Sequence, residues 1–493
     1  MSSGKVAKNT AYLVAAFVGQ KLLSFVYFTL AVRAVGVDGA GKYVAATAFT
    51  TIFSIFIDLG LSNVLVRETA KFPEKATTLL SNVLGIKTIL GSLTVIATIV
   101  VARLLGYPEE TFLMIVIASA VMVLDSIHLI FYAVIRGYQD LRFEAIGVVT
   151  GQLVTILSGS LFIFALHLGL PFLIVALLMG STWNVLWSSW AVSRRFPIKI
   201  SLAYDPVLVK FLASVAFPFA LAGIFSRVYS YIDSVMLSRL ATTAELGVYG
   251  VAYKLTFAFQ FLPMAFAAAV YPAMADYYVH DRKKLGTVFS TSLKYLLIVV
   301  VPLSFGIATL AGPIVHTVYG SAFLGAVQPL QILIFSLIFA FLYWPAGSLM
   351  NACDRQVRNT TVLGVTMVVN IVMNIFLIPR FGAIGAAISA LVGNIVLWSG
   401  AMLQLRGLAM FSVRRLVIIT GKVFFSGSFM VLSLSLLRPS IPLILLVPSG
   451  VVIYAFVLIG IGGVTANEIQ DFIAVFLQRR KKISDVMANG NKV

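Results

Sequence analysis

The 493-residue chain contains a single cysteine, Cys353. One cysteine cannot form an intramolecular disulfide, and it cannot supply the thiolate cluster of a zinc or iron–sulfur site. We predict no metal site and no cofactor for this chain.

Charged residues are also scarce. Asp, Glu, Lys and Arg make up 11% of the chain, whereas a soluble globular protein averages about 25%. Hydrophobic residues make up 60%, and the mean hydropathy is +1.01. Acidic residues are the scarcest, 18 against 36 basic ones. This composition predicts an integral membrane protein.

Apolar runs of about 20 residues, the length that crosses a bilayer as a helix, recur along the chain. They are too long and too uniformly apolar for the strands of a membrane barrel. We predict an all-α integral membrane protein with about 14 transmembrane helices. The predicted spans are 10–32, 43–65, 80–102, 112–134, 145–167, 171–193, 211–237, 246–271, 289–311, 326–350, 359–379, 382–404, 416–437 and 442–465.

The distribution of basic residues predicts the topology. The first apolar run continues to Arg33 without a cleavage site of small residues, which is typical of an uncleaved span. With the N-terminus in the cytoplasm, most of the 36 basic residues fall on the cytoplasmic side, which predicts a multi-pass plasma-membrane protein with both termini cytoplasmic. Basic residues spread over many loops favour contact with anionic membrane lipids and not with nucleic acid. The outside turns hold only Arg33, Lys42, Arg103, Arg239, Arg380 and Arg438.

One stretch of the sequence occurs twice. Residues 21–43 (KLLSFVYFTLAVRAVGVDGAGKY) align with residues 227–249 (RVYSYIDSVMLSRLATTAELGVY) at one offset. Internal repeats are typical of transporters, whose substrate site lies between the repeats. The alignment pairs Lys21 with Arg227, Ser24 with Ser230, Arg33 with Arg239, Gly41 with Gly247 and Tyr43 with Tyr249.

The repeat predicts the domain organisation. Each half contains six helices, and an even number makes the two repeats parallel, related by an axis along the membrane normal. A basic, proline-containing break separates the halves, and the last two helices have no counterpart in the duplication. We predict an N-lobe at 1–193, a cytoplasmic linker at 194–210, a C-lobe at 211–404, an additional helix pair at 405–465 and an amphipathic, basic cytoplasmic tail at 466–493.

Two embedded cations are the strongest candidates for a binding site. A charged residue near the centre of a membrane helix costs about 2.5–3.5 kcal/mol on insertion scales, so it indicates function. Lys21 and Arg227 fall near the middle of matching helices. We expect them to face each other across a central cavity and to bind an anionic headgroup, because Arg can grip phosphate through two hydrogen bonds. The alternative is a structural ion pair for each. Arg227 would then pair with Asp233, and Lys21 with Asp58.

Four further cations complete the candidate anion-binding set. Lys87 and Lys294 correspond in the two halves, near the cytoplasmic ends of their helices, and would either line the cavity or extend to the headgroups. Arg33 and Arg239 end the repeated segments. Lys254 is similarly shallow on the outer side, and we expect it to extend to the headgroups or to line the cavity.

Four titratable residues are candidates for coupling transport to an ion, H+ or Na+. Asp125 and His128 are three residues apart, so they share a helix face and could exchange a proton, or could simply hydrogen-bond each other. Asp58 and Asp233 are the other embedded carboxylates.

Several protein classes are disfavoured. The outside turns are too short for a folded catalytic domain, and the sequence contains no Walker motif and no HExxH. We therefore predict that the protein is not an enzyme. A channel is disfavoured because no segment resembles a re-entrant selectivity filter, and duplicated lobes suit a rocking motion.

The sequence resembles the polysaccharide-transporter branch of the multidrug/oligosaccharidyl-lipid/polysaccharide exporter superfamily. The resemblance lies in Asn9-Thr10, in Arg33-x7-Gly41-x-Tyr43, in the segment DLGLSNVLVRE at 58–68, in Gly137-x2-Asp140 and in the fourteen spans. It implies a two-lobed bundle around a V-shaped cationic cavity. It also implies a flippase for polyprenyl- or dolichyl-diphosphate-linked oligosaccharides in glycan biosynthesis. The lipid tail would stay among membrane lipids, and a polysaccharide polymerase or glycosyltransferase would be a partner.

Two related functions stay open. The flippase for the peptidoglycan lipid precursor also has fourteen spans and a cationic cavity, so the sequence separates it poorly. A drug or cation antiporter of the same superfamily usually has twelve spans and would favour an acidic cavity. A sugar-porter-like major facilitator is disfavoured, because RETAKFPEKA at 67–76 lacks the loop pattern of that group.

Overall fold

The computed structural model describes residues 3–196, 198–408, 413–438, 441–464 and 468, and these residues form helices and no strand. The prediction of an all-α membrane protein is confirmed. The predicted tail at 466–493 lies outside the described residues, apart from Glu468. The helices are α1 (Ser3–Asp58), α2 (Leu61–Lys71), α3 (Ala76–Leu104), α4 (Glu109–Gly137), α5 (Arg142–Ser160), α6 (Pro171–Arg195), α7 (Pro206–Leu240), α8 (Thr243–Phe257), α9 (Phe261–His280), α10 (Arg282–Thr309), α11 (Ala311–Tyr319), α12 (Val327–Ala352), α13 (Gln356–Leu405), α14 (Val413–Leu437) and α15 (Leu443–Gly460).

The helix count is compatible with fourteen spans. Among the described residues, eleven helices are long and apolar enough to cross a membrane, or twelve if the two parts of α7, bent by 53°, count as one. Two of them, α1 and α13, contain 56 and 50 residues and are broken at Gly36 (φ 71°) and Gly382 (φ 52°). A helix rises about 1.5 Å per residue, so each exceeds twice the roughly 30 Å of a bilayer core. Each is therefore long enough for two crossings.

Three apolar clusters hold the helices together. One lies within the first half, and α7 joins it through Leu212 and Ala216. A second lies within the second half and includes residues of α14 and α15. The third unites the halves, with Tyr27 and Phe49 from α1 against Leu246 and Tyr249 from α8. The two halves are thus joined directly by apolar packing.

Residues 198–205, in the segment that connects the halves, are hydrogen-bonded to the start of α3. The Ala203 amide donates to the Ser81 carbonyl (3.2 Å), and the Asp205 amide donates to Asn82 Oδ1 (2.6 Å). The Asp205 carboxylate in turn accepts from the Val207 amide (2.9 Å) and caps α7. We call this side of the bundle the linker end.

At the opposite end of α3 the two repeated segments meet. A Cβ on Gly41 would collide with the Thr243 carbonyl, and a Cβ on Gly247 would collide with the Val37 carbonyl. Val37 and Thr243 occupy matching positions in the alignment of the repeats, so the two contacts are related by symmetry. Only glycine allows backbones to approach this closely. We call this junction of residues 33–44 with 239–250 the seam.

The arginines of the repeated segments also act at the seam. Arg33 Nη2 donates to the Thr317 carbonyl (3.3 Å), which belongs to the other half. Arg239 Nη1 donates to the Gly106 carbonyl (3.4 Å), and its guanidinium lies 5.2 Å from the Tyr107 ring centroid. Each half therefore donates a hydrogen bond from an arginine to a backbone carbonyl of the other half.

The substitution Gly41→Ala should destabilise the protein, because the new methyl group has a backbone carbonyl and no flexible side chain in its way. We expect a cost of about 1–3 kcal/mol, typical of overpacking, measured as a lower thermal unfolding midpoint of the purified protein. Gly19→Ala is the matched control, since a Cβ there meets nothing within 4 Å. Equal unfolding midpoints for the two variants would contradict the close approach at the seam.

The single thiol should be unreactive in the folded protein. Cys353 is 2% exposed, just beyond α12, and burial raises the pKa of its thiol to about 11. Maleimide reacts with the thiolate, so we expect no labelling of the native protein near neutral pH and full labelling after denaturation. Labelling of the native protein at the rate of an exposed Lys283→Cys variant would show that Cys353 is accessible.

Candidate substrate-binding cavity

A cavity of two adjoining chambers lies between the halves, on the linker side of the seam. The first chamber has a volume of about 520 Å³ and the second about 280 Å³. After the break of α1 at Gly36, its wall residues begin at Tyr43, at the edge of the seam and within one turn of Gly41. The seam therefore closes the cavity towards one end of the bundle. The residues that line both chambers are Thr47, Thr51, Gln152, Leu177 and Tyr231.

The first chamber is formed mainly by the first half. Its polar wall comes from α1, α4, α5 and α6, and includes Gln20, Gln152 and Asn184. The second half contributes Arg227 and Tyr231, which lie on one face of α7 because they are four residues apart. Among the described residues Arg227 forms no ion pair.

The second chamber contains two lysines. The Lys21 ammonium lies 5.5 Å from the Phe257 ring centroid. The Lys254 ammonium lies 5.3 Å from the Phe28 ring centroid and donates to Ser24 Oγ (3.3 Å). Neither lysine forms an ion pair within the part of the chain that the structure describes. Aromatic faces and a hydroxyl therefore surround both charges without neutralising them.

Lys254 was not in our candidate set. Its counterpart in the first repeat is Ala48, so comparison of the repeats gave no signal at this position. Only the packing of α8 against α1 brings Lys254 into the chamber of Lys21. Lys21 itself lies in the second chamber and Arg227 in the first, so the predicted pair occupies adjoining chambers of one cavity.

The structure rejects both alternative ion pairs. Asp58 pairs with Lys87, whose Nζ lies 2.6 Å from Asp58 Oδ1. The ammonium also donates to the carbonyl and the Oγ of Ser126, each at 2.9 Å. Lys87 is 2% exposed. Contrary to our prediction, it neither lines the cavity nor extends to the headgroups, because a buried charge is stable only when it is paired and hydrogen-bonded.

The remaining predicted cations lie elsewhere. Lys294 Nζ is 2.6 and 2.8 Å from the carboxylate oxygens of Glu468, away from the cavity. Arg33 and Arg239 hold the seam, as described above. Of the six predicted cations, only Lys21 and Arg227 line the cavity, and the structure adds Lys254.

The acidic candidates fall into two groups. Asp58, Asp125 and His128 line the first chamber. Asp125 accepts a hydrogen bond from Ser181 Oγ (2.6 Å), and its Oδ1 lies 3.6 Å from His128 Nδ1. That nitrogen has no hydrogen-bond partner among the described residues. Asp125 and His128 are therefore close together, as predicted, and Asp125 also accepts a hydrogen bond from Ser181.

Asp233 is buried behind the cavity wall and has only neutral partners. Its Oδ2 accepts from the Tyr249 hydroxyl (2.9 Å), and its Oδ1 accepts from Asn374 Nδ2 (2.7 Å). Asn374 Oδ1 and the Tyr229 hydroxyl are buried without a hydrogen-bond partner in the described part of the chain. The result is a small oxygen-rich cluster around an isolated carboxylate.

Comparison with known proteins identifies the family. The model of the family "Polysaccharide biosynthesis protein" matches residues 6–278, more than half of the chain, and the MatE model matches residues 218–376. A probable low-salt glycan biosynthesis flippase of Haloferax volcanii is 24% identical over 74% of this chain and 76% of its own length. An uncharacterized membrane protein of Methanocaldococcus jannaschii is 22% identical over 73% of this chain and 75% of its own length.

Solved structures show the same fold. The lipid II flippase MurJ, in an inward closed conformation, has a TM-score of 0.73 with 16% identity, covering 90% of this chain and 97% of its own. An inward-facing multidrug transporter of the MATE family has a TM-score of 0.66 with 16% identity, covering 80% and 98%. The predicted resemblance is confirmed. The chain is a transporter and not an enzyme, and it belongs to the polysaccharide biosynthesis protein family of the multidrug/oligosaccharidyl-lipid/polysaccharide exporter superfamily.

Proposed function

We propose that the protein is a flippase that moves a lipid-diphosphate-linked oligosaccharide across the plasma membrane by alternating access. The observation that carries this proposal is the set of three cavity cations, Lys21, Arg227 and Lys254, none of which has an acidic partner among the described residues. An unpaired charge in a membrane helix is costly. A ligand that brings negative charge to the cavity would offset that cost.

A diphosphate matches these cations in charge and geometry. Arg227 offers a planar pair of donors suited to phosphate oxygens, and the two lysines act as point charges. The polar wall of the first chamber suits a glycan, because Gln20, Gln152 and Asn184 can hydrogen-bond sugar hydroxyls. The diphosphate would thus sit near the lysines, with the sugars in the larger chamber and the lipid tail in the bilayer.

The closed seam supports loading from one side. In this conformation the cavity is shut towards the seam, and most basic loop residues of the chain lie at the linker end, which favours a cytoplasmic linker end with both termini cytoplasmic. The oligosaccharide would enter there and leave after the seam has opened. A glycosyltransferase would supply this substrate, and a polysaccharide polymerase would consume it.

Asp233 is our candidate for the site of the coupling ion, H+ or Na+. Asp58 is already neutralised by Lys87, whereas Asp233 has no cation beside it in the described residues. A buried carboxylate with neutral partners needs a proton or a small cation to balance its charge. The unpartnered Asn374 Oδ1 and the Tyr229 hydroxyl would supply further oxygen ligands, as hard cations prefer.

Removing the charges of the cavity cations should slow flipping. The variant Lys21→Gln/Arg227→Gln/Lys254→Gln should slow translocation of a fluorescent polyprenyl-diphosphate oligosaccharide in proteoliposomes at least tenfold, because each charged hydrogen bond contributes about 1.5–3 kcal/mol and about 1.4 kcal/mol is a factor of ten. The control Arg194→Gln/Lys199→Gln/Lys210→Gln removes equal charge outside the cavity. Equal rates in both variants would contradict the proposed anion site. Transport of the peptidoglycan precursor alone, or of small cations without added lipid, would contradict the proposed substrate.

The substitution Asp233→Asn should remove ion dependence. A neutral amide needs no counter-ion, so we expect the flipping rate of this variant to be independent of imposed Na+ and pH gradients to which the wild type responds. Asp276→Asn is the matched control, since Asp276 is exposed beside His280 at the end of α9. Loss of ion dependence in Asp125→Asn and its retention in Asp233→Asn would instead place coupling at the Asp125–His128 pair.

A further inference from the structure

One carboxylate of the first chamber takes no part in the proposed anion site. Asp125 lies midway along α4 and lines the first chamber with a side chain that is 49% exposed. The other acid on this wall, Asp58, is paired with Lys87. Asp125 forms no ion pair with a lysine or arginine among the described residues, and its basic neighbour is the ring of His128. The chamber therefore presents a carboxylate to a ligand that enters it.

The geometry leaves one oxygen of this carboxylate available. Asp125 Oδ1 accepts a hydrogen bond from Ser181 Oγ (2.6 Å) and lies 3.6 Å from His128 Nδ1. The other oxygen, Oδ2, has no hydrogen-bond partner in the described part of the chain. A carboxylate oxygen accepts hydrogen bonds and donates none. Oδ2 can therefore accept a hydrogen bond from a donor group that enters the chamber.

Two side-chain amides on the same wall are also available. Gln20 on α1 and Gln152 on α5 line the first chamber and form no hydrogen bond with other described residues. Gln152 also lines the second chamber, where the two lysines lie. An amide offers donors and an acceptor, and a hydroxyl group donates one hydrogen bond and accepts others. The two amides and the Asp125 carboxylate therefore match the hydroxyl groups of a sugar.

We propose that Asp125 recognises the hydroxyl groups of an uncharged sugar and excludes acidic sugars from the first chamber. This inference rests on the proposed function, in which the diphosphate engages Lys21, Lys254 and Arg227 and the sugars occupy the first chamber. A hydrogen bond from a sugar hydroxyl to a carboxylate is stronger than one between neutral groups. The carboxylate of a hexuronate at that position would repel Asp125, because two like charges in contact are unfavourable. The substrate class is a lipid diphosphate whose sugars nearest the diphosphate are neutral.

The experiment compares two polyprenyl-diphosphate disaccharides in proteoliposomes, one made of two hexoses and the other of two hexuronates. The wild type should flip the neutral probe at least about tenfold faster than the acidic one. Asp125→Asn should lower this ratio at least about fivefold, because an amide does not repel the acidic probe and is a weaker acceptor for the neutral one. Asp276→Asn removes an exposed charge at the end of α9 and should keep the wild-type ratio.

A sugar-free probe separates this inference from the proposed function. Polyprenyl diphosphate should bind equally to the purified wild type and to Asp125→Asn, because it has no sugar that could reach Asp125. The variant Gln20→Leu/Gln152→Leu retains every charge, so it tests the sugar site even if Asp125→Asn folds poorly. It should slow flipping of the neutral disaccharide and leave polyprenyl-diphosphate binding unchanged.

The outcomes that would overturn the inference are distinct from those that would overturn the flippase function. Equal flipping of the two disaccharides by the wild type, or an unchanged ratio in Asp125→Asn, would refute the role of Asp125 and leave the flippase function intact. Loss of ion dependence in Asp125→Asn with an unchanged ratio would make Asp125 an ion site instead. A wild type that neither binds polyprenyl diphosphate nor flips either disaccharide would contradict the proposed function itself.

Discussion

The structure depends on the backbone contact between its two repeats. Gly41 against Thr243 and Gly247 against Val37 are the same contact made twice, and a side chain at either glycine would prevent it. Arg33 and Arg239 reinforce this contact, because each donates a hydrogen bond to a backbone carbonyl of the opposite half. The cavity lies beside this junction, and Tyr43 and Val44 of the seam form part of its wall.

The embedded basic residues of the protein fall into two groups, those that have an acidic partner and those that have none among the described residues. Some basic residues have an acidic partner, as Lys87 has Asp58 and Lys294 has Glu468. The charges of Lys21, Arg227 and Lys254 have no acidic partner in the described residues. An unpaired cation at membrane depth is costly, so it indicates a functional site. The cavity is therefore positively charged, which favours an anionic substrate.

Much of this organisation could be predicted from the sequence, and each prediction that was wrong or incomplete has a specific physical cause. The repeat paired Gly41 with Gly247 at one offset, but their close backbone contacts across the halves were found only in the structure. Lys21 and Arg227 were identified because a charge near the middle of a membrane helix is energetically costly and therefore indicates function. Lys87 was misjudged because its partner Asp58 lies on another helix, 29 residues away. For Lys254 the sequence left open whether it extends to the headgroups or lines the cavity, because its counterpart in the repeat is an alanine. The neutral surroundings of Asp233 became visible only when α7, α8 and α13 were packed together.

Thiol accessibility of the cavity tests the central claim most directly. In the variant Gln152→Cys the new thiol lines both chambers, and the native Cys353 is buried. A membrane-impermeant thiol reagent is applied to right-side-out and to inside-out vesicles in the absence of substrate. The account predicts labelling from the cytoplasmic side and none from the outside, because the seam is closed. Labelling from the outside alone, or equally from both sides, would contradict it.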